Sequence, residues 1–272
     1  MIGAVTSEKT GEKAEDRAGD EAGWLVVVGL GPGPDRWLTP AASAVLDAAT
    51  DIIGYGPYTA RLPARAGCEV HASDNRVEIE RARHALELAS AGHRVAVVSG
   101  GDPGVFAMAA AVFEAVEHGP GAWRALDIRV EPGVTAMLAA AARVGAPLGH
   151  DFAAISLSDN LKPWEIILRR LRLAAEADLV IALYNPVSRA RPDKLREAFA
   201  ALGAIRAPET PVIMARAVGR PDERIALTTL GEAPGIEADM ATVVIIGSSE
   251  TRLIARSGTP FVYTPRSYGA AR

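Results

Sequence analysis

Cysteine is all but missing from this sequence: Cys68 is the single thiol in 272 residues. One cysteine excludes an intramolecular disulfide and a cysteine-ligated metal cluster, and Cys68 itself reads as a small, half-buried loop residue. No apolar run approaches the roughly 20 residues needed to span a bilayer. The first 23 residues carry scattered charges and lack the apolar core of a signal peptide. The stretch 1–23 is therefore expected to be a disordered leader, and the protein cytoplasmic with no membrane partner. Positive charge is not in excess, since 29 Lys and Arg against 33 Asp and Glu leave a net charge of −4. That balance gives no footprint for nucleic acid. Aromatic residues are few, whereas Ala, Val and Gly abound in a chain that is 49% hydrophobic. Such a chain is long enough to bury a large core and to form one or two domains.

The most informative stretch is Val95 to Gly104, V-A-V-V-S-G-G-D-P-G. Val95 to Val98 read as a buried strand, and Gly100 and Gly101 then allow a tight turn with no Cβ between backbone and ligand. Asp102 sits where an N-cap is expected, with Pro103 pre-set for a first helical turn, and the helix is predicted to continue through Val105 to Phe113. A similar corner comes earlier, where the strand Trp24 to Gly29 runs into G-L-G-P-G-P at Gly29 to Pro34. Its glycines fall at Gly29, Gly31 and Gly33, and Pro32 and Pro34 interrupt the helix opening that a dinucleotide fingerprint requires. The next helix is predicted only from Thr39-Pro40. In open α/β sheets ligands bind at the carboxyl ends of strands, so two such loops on one side of a sheet suit a small polar cofactor with an adenosine moiety.

Strands and helices alternate through the first half, from Asp51–Tyr55 to the helix Arg76–Ala91 and the strand Leu126–Val130. The second half has more consecutive strands, among them Phe152–Leu157, Ala177–Tyr184, Thr210–Arg216, Glu223–Leu227 and Ala241–Gly247. The fold class is α/β, with a largely parallel first sheet and a mixed second one. Two α/β domains are expected, 24–140 and 141–272, with a cofactor and substrate cleft between them. Thr39-Pro40, Asp102-Pro103 and Asn185-Pro186 each pair a capping side chain with proline, and simple helix starts are the plain alternative to a site role.

Four motifs occur in order: G-L-G-P-G at Gly29 to Gly33, S-G-G-D-P-G at Ser99 to Gly104, P-G-V-T-A at Pro132 to Ala136 and L-Y-N-P at Leu183 to Pro186. Together they resemble the tetrapyrrole methylase family of S-adenosylmethionine-dependent methyltransferases. Within the family, L-G-H-D-F at Leu148 to Phe152, I-S-L-S-D-N-L-K-P-W-E at Ile155 to Glu165, Y-N-P-V-S-R-A-R-P-D-K-L at Tyr184 to Leu195 and M-A-T-V-V-I-I-G at Met240 to Gly247 look most like the branch that methylates carbon 17 of precorrin-3B and contracts its ring. The resemblance implies S-adenosylmethionine as cofactor, S-adenosylhomocysteine as product, a tetrapyrrole substrate and a homodimer. Another precorrin or cobalt-precorrin carbon, a protein or RNA acceptor, or a non-catalytic nucleotide-binding module are the alternatives.

By the same resemblance the cofactor would contact Gly101, Asp102, Val105, Thr135, Ala136, Tyr184, Ala217 and Thr242, and Pro32 would lie nearer the substrate. Asp102 has two open roles, a hydrogen-bond acceptor for the donor or an N-cap alone. Tyr55 and Tyr58 offer flat faces to a macrocycle. Lys162, Arg189 and Arg191 offer positive charge to its carboxylates, or are ordinary solvated charge. For proton transfer His150 beside Asp151 is the first candidate, against a solvated linker histidine, with Asp159 as a further carboxylate. The other four histidines read as surface residues in polar helices or loops, and no metal ligand set is apparent.

Overall fold

A computed structural model describes residues 23–74 and 77–268. The expected leader lies outside the described residues except for Gly23, and so does the beginning of the helix expected from Arg76.

The first half forms one parallel sheet in the order β3-β2-β4-β1-β5. Its strands are β1 (Trp24–Gly29), β2 (Asp51–Tyr55), β3 (Glu69–Ser73), β4 (Arg94–Ser99) and β5 (Asp127–Glu131). Successive side chains of a strand face opposite ways, and β1 shows why its run is apolar throughout. Val26 and Val28 pack with Leu46 of α1 (Pro40–Ala48) on one face. Leu25 and Val27 pack on the other face with Leu86 of α3 (Glu78–Ser90) and Val112 of α4 (Met108–His118). A parallel strand covered on both faces has no polar side to show. A one-turn helix, α2 (Gly56–Thr59), follows β2.

The chain leaves β1 towards β2 but leaves β4 towards β5, on the opposite side of β1. Neighbouring strands whose connections pass over opposite faces of the sheet open a crevice at their carboxyl ends, where ligands bind in such sheets. Those ends are the two glycine loops.

The second half forms a mixed sheet, β10-β9-β11-β8-β7. Strand β7 (Phe152–Ser156) runs parallel to β8 (Val180–Tyr184), while β9 (Pro211–Arg216), β10 (Arg224–Thr229) and β11 (Thr242–Ile246) are joined antiparallel. Helices α6 (Trp164–Glu176) and α7 (Lys194–Gly203) cover one face, with Ile167, Leu171 and Phe199 in the core. Helix α5 (Ala136–Val144) covers the other face, burying Met137, Ala140 and Val144 against Val180, Ile213 and Ile245. A small third sheet joins β6 (Gly145–Ala146), β12 (Arg252–Ile254) and β13 (Phe261–Tyr263).

Of the three capping pairs only Thr39-Pro40 starts a helix: Thr39 Oγ1 accepts the Ala42 N–H at 3.1 Å and Pro40 opens α1. Asp102-Pro103 does not, because the chain stays irregular until Met108, with Phe106 at φ 54° and Ala107 as an N-cap without a side-chain bond. Nor does Asn185-Pro186, since Asn185 has φ 52° and α7 begins only at Lys194. Strands β3, β6, β12 and β13 were not foreseen; all are short, and β3 and β12 are sheet edges with exposed residues.

Candidate active site

The carboxyl ends of β1, β4 and β5 converge on a corner built of backbone. Gly31 and Gly101 exchange both hydrogen bonds, Gly31 N–H to Gly101 O at 3.1 Å and Gly101 N–H to Gly31 O at 3.0 Å. A Cβ on Gly29 would stand 2.6 Å from Gly133 N and 2.8 Å from Gly101 O. The three loops can thus approach only because these positions carry no side chain. Gly101 has φ +71°, and a Cβ there would meet nothing nearer than Thr135 Cα at 3.8 Å. Gly29 is packed too tightly for any side chain, whereas a Cβ on Gly101 would make only ordinary van der Waals contact.

Asp102 ties two of these loops together. One carboxylate oxygen accepts the Gly104 N–H at 2.8 Å and the other the Gly133 N–H at 3.0 Å. Its capping power is spent on loop amides, which is why the expected helix does not begin there. Val105, half-buried on the same loop, donates its N–H to Asp102 O at 3.3 Å.

Opposite stands the end of the second sheet that carries Tyr184. The phenol oxygen lies 2.6 Å from Thr135 Oγ1 and accepts the Met137 N–H at 3.0 Å. It thereby caps the first turn of α5, which opens at the half-buried Ala136, in place of Thr135, whose side chain makes no cap bond. Burial pushes the Tyr184 phenol above its ordinary value, so its proton stays on at neutral pH. The Phe106 ring, half-exposed on the irregular β4–α4 loop, packs 5.3 Å from the Tyr184 ring. The same sheet end holds Ala217, at φ 50°, and Thr242, whose hydroxyl donates to Asp239 Oδ1 at 3.0 Å.

Side chains that sequence reasoning missed brace this corner. Arg61 donates to the carbonyls of Leu30 and Gly31 at 3.1 Å each and to Gly33 at 2.8 Å. Burial pulls its guanidinium below the ordinary value, helped by the nearby Arg220 charge. Arg220 Nε donates to Pro32 O at 3.2 Å, across a separation of 188 residues. Gly33 backs directly onto the Gly219 backbone, and Trp37 lies against Gly219 and beneath the Arg143 guanidinium, itself paired with Glu223 at 2.9 Å. Only the prolines and glycines of the first loop hinted at such close approach; nothing local marks Arg61 or Arg220.

The remaining expected residues are dispersed. His150 and Asp151, 3.8 Å apart, precede β7 at its amino end, whereas Tyr184 pairs with Ser156 at its carboxyl end. Phe152 to Ser156 spans about 13 Å at strand rise, so this pair is not brought to the corner. Arg191 is buried and occupied, donating to Leu157 O at 3.1 Å and facing Asp159 at 3.5 Å. Lys162 is half-buried, and burial followed by the Arg170 charge pulls its ammonium below the usual value. Arg189 is exposed, Pro32 is buried, and Tyr55 meets Tyr58 edge to face at 5.4 Å.

A family model described as Tetrapyrrole (Corrin/Porphyrin) Methylases matches residues 24–234. A precorrin-3B C(17)-methyltransferase of Sinorhizobium sp. is 60% identical over 250 residues, which are 92% of this chain and 98% of that protein. A probable cobalt-factor III C(17)-methyltransferase of Salmonella typhimurium is 43% identical over 90% of this chain and 99% of its own. Among solved structures, the methyltransferase CobJ is similar at TM-score 0.85 and 52% identity, covering 89% of this chain and 100% of that one. Uroporphyrin-III C-methyltransferase of Thermus thermophilus, complexed with S-adenosylhomocysteine, is similar at TM-score 0.64 and 26% identity over 83% of this chain and 97% of that one. With its parallel sheet, its glycine corner and its facing mixed sheet, the chain belongs to the tetrapyrrole (corrin/porphyrin) methylases.

Proposed function

We propose that the chain transfers a methyl group from S-adenosylmethionine to carbon 17 of precorrin-3B, with contraction of the macrocycle, in cobalamin biosynthesis. The observation that carries this reading is the 60% identity to the Sinorhizobium enzyme, which runs through 98% of that protein. Supporting features at the glycine corner are Gly101, which places no side chain between backbone and ligand, and the Asp102 carboxylate and the Thr135 and Tyr184 hydroxyls on the adjoining loops. In this reading Gly101, Asp102, Val105, Thr135 and Ala136 form one wall, and Tyr184, Ala217 and Thr242 the other. The two α/β units are read as 24–140 and 141–272, and α5, which spans that boundary, packs on the second sheet.

When bound, the donor supplies a methyl group already activated on a sulfonium. The chain then has no nucleophile to generate; its task is to hold methyl and carbon in a near-attack geometry of roughly 3–3.5 Å. Asp102, pinned by two amides, presents a fixed carboxylate to the donor's polar groups. Tyr184, pinned by Thr135 and Met137, keeps the opposite wall from drifting. In the same reading Tyr55, Lys162 and Arg189 would meet the tetrapyrrole, the two cations pairing with its carboxylates, with Pro32 backing the first loop from its buried position and Arg191 stiffening the rim. Proton handling falls to Asp159, which follows β7 at its carboxyl end, rather than to His150 and Asp151.

Purified protein incubated with methyl-labelled S-adenosylmethionine and precorrin-3B should yield a labelled, ring-contracted product. No label transfer would overturn the assignment. The 43% identity to the Salmonella protein supports a second reading, a cobalt-containing substrate, and mass spectrometry of parallel reactions with metal-free and cobalt-loaded substrates separates the two. A cytoplasmic homodimer completes the proposal; a one-chain mass by light scattering would remove the dimer.

A further inference from the structure

At the amino ends of the first sheet, opposite the glycine corner, three of the chain's five histidines gather near one carboxylate. Asp51 opens β2 and is 2% exposed. Its Oδ1 meets His71 Nε2 at 2.8 Å, and its Oδ2 meets His93 Nδ1 and the Thr50 hydroxyl at 2.7 Å each. Burial would raise this carboxyl, but the bonds from His71, Thr50 and His93 outweigh it and hold Asp51 below its ordinary value. With His71, His93 and the Thr50 hydroxyl all directed at its two oxygens, Asp51 is the acceptor, and the His71 Nε2–H donates to it.

That tautomer leaves a lone pair on His71 Nδ1, turned away from Asp51. Two further groups face this atom. His84 Nε2, exposed on α3, stands 3.5 Å away, and Glu69 Oε1, two residues before His71 on the edge strand β3, stands 4.0 Å away. We propose that Glu69, His71 and His84 form a surface binding site for a divalent transition-metal ion of the zinc class, with Asp51 orienting His71 from behind.

The spacing suits the ion. Two nitrogens bound to zinc at 2.0–2.1 Å in a tetrahedron lie about 3.3 Å apart, against the 3.5 Å seen between His71 and His84. The rings meet edge to face at 72° with centroids 5.0 Å apart, so they do not stack on each other. Glu69, with 75% of its side chain exposed, lies 4.0 Å from His71 Nδ1 and must swing towards His84 to close the third vertex. A histidine ligand whose far nitrogen donates to a buried carboxylate is the usual supporting arrangement around such ions. Register produces the cluster: Asp51 pairs with Glu69 across β2 and β3, which sets His71 diagonally opposite on the same face. The three ligands leave a fourth vertex for water, and the site lies at the far end of the sheet from the methyl-donor corner.

Untagged full-length protein, stripped with chelator and dialysed, is titrated with Zn²⁺ by calorimetry and with Co²⁺ by visible absorption. The expected result is one ion per chain, with the intense cobalt bands of a low-coordinate site. His84→Ala and Glu69→Gln should each weaken binding at least tenfold while leaving the metal-free melting temperature unchanged, since both side chains are exposed. His71 is kept intact because its removal strands the buried Asp51 carboxylate. Absence of stoichiometric binding, or unchanged affinity in both variants, would leave the cluster a hydrogen-bonded cover for Asp51 and overturn the proposal.

Discussion

Replacing Gly29 with alanine tests the interlocked corner most directly. The new Cβ would sit 2.6 Å from Gly133 N, 2.7 Å from Gly133 Cα and 2.8 Å from Gly101 O. All three neighbours are backbone, so no rotamer change relieves the clash. Overpacking a well-filled site costs about 1–3 kcal/mol, and the lack of any side chain that could yield puts this substitution at the upper end, about 3 kcal/mol. For a chain of this size that corresponds to a fall in melting temperature of roughly 6–12 °C. The strain also falls on the Gly31–Gly101 bridge and on the Gly133 amide that holds Asp102. S-adenosylhomocysteine affinity should therefore drop at least tenfold, measured by calorimetry at a temperature where the variant stays folded. Gly203→Ala is the control: nothing lies within 4 Å of the added methyl, and alanine is the better helix former, so stability should hold or rise by up to about 1 kcal/mol. If Gly29→Ala melts within about 2 °C of the parent and binds S-adenosylhomocysteine equally well, the loops are not interlocked as described.

Tyr184→Phe removes the acceptor of the Met137 amide and the partner of Thr135, and should cost about 1–3 kcal/mol in urea unfolding. Combined with Thr135→Val the losses should fall short of additive; strict additivity would mean that the two hydroxyls do not interact. Asp102→Ala should weaken S-adenosylhomocysteine binding severalfold or more with the fold retained, and unchanged affinity would reduce Asp102 to a clasp between loops. Because the Asp51 carboxyl is held below its ordinary value in the folded state, its contribution is fully present above the unfolded value of about 3.9 and drains away as pH falls through the folded one. The stability gap between parent and Asp51→Asn should thus narrow as pH falls below about 4. A gap that persists undiminished to pH 2 would contradict the depressed value.

What could be read from the residues was what their near neighbours decide. Thr39-Pro40 caps α1 as expected, because a hydroxyl acceptor and a pre-set φ act within a single turn. The apolar run of β1 announces a strand buried on both faces. Asp102-Pro103 carries the same local signal and misleads, because Gly133, 31 residues away, supplies the amide that claims the carboxylate. The four ordered motifs pointed to the glycine corner, yet the close packing of Gly29, Gly101 and Gly133 depends on strand order, which no single motif encodes. Strand β3 escaped notice because an edge strand reading E-V-H-A-S has little apolar content. With it escaped the grouping of His71, His84 and His93 near Asp51, so these histidines read as ordinary surface residues.

Arg61 and Arg220 carry a kinetic consequence. Both spend hydrogen bonds on carbonyls of the first glycine loop, and among the described residues neither stands in an ion pair. A carbonyl accepts a hydrogen bond without cancelling the charge of its donor, so two guanidinium charges persist at this rim, offset in part by Asp35 near Arg61 and Asp222 near Arg220, in a molecule whose net charge is −4. A polycarboxylate diffusing in meets an attractive field there, which reaches about 10 Å at 0.1 M salt. Such steering accelerates encounter and fades with ionic strength. Added salt should then lower kcat/KM for the tetrapyrrole while leaving kcat unchanged, as expected of arginines that act before the substrate has docked.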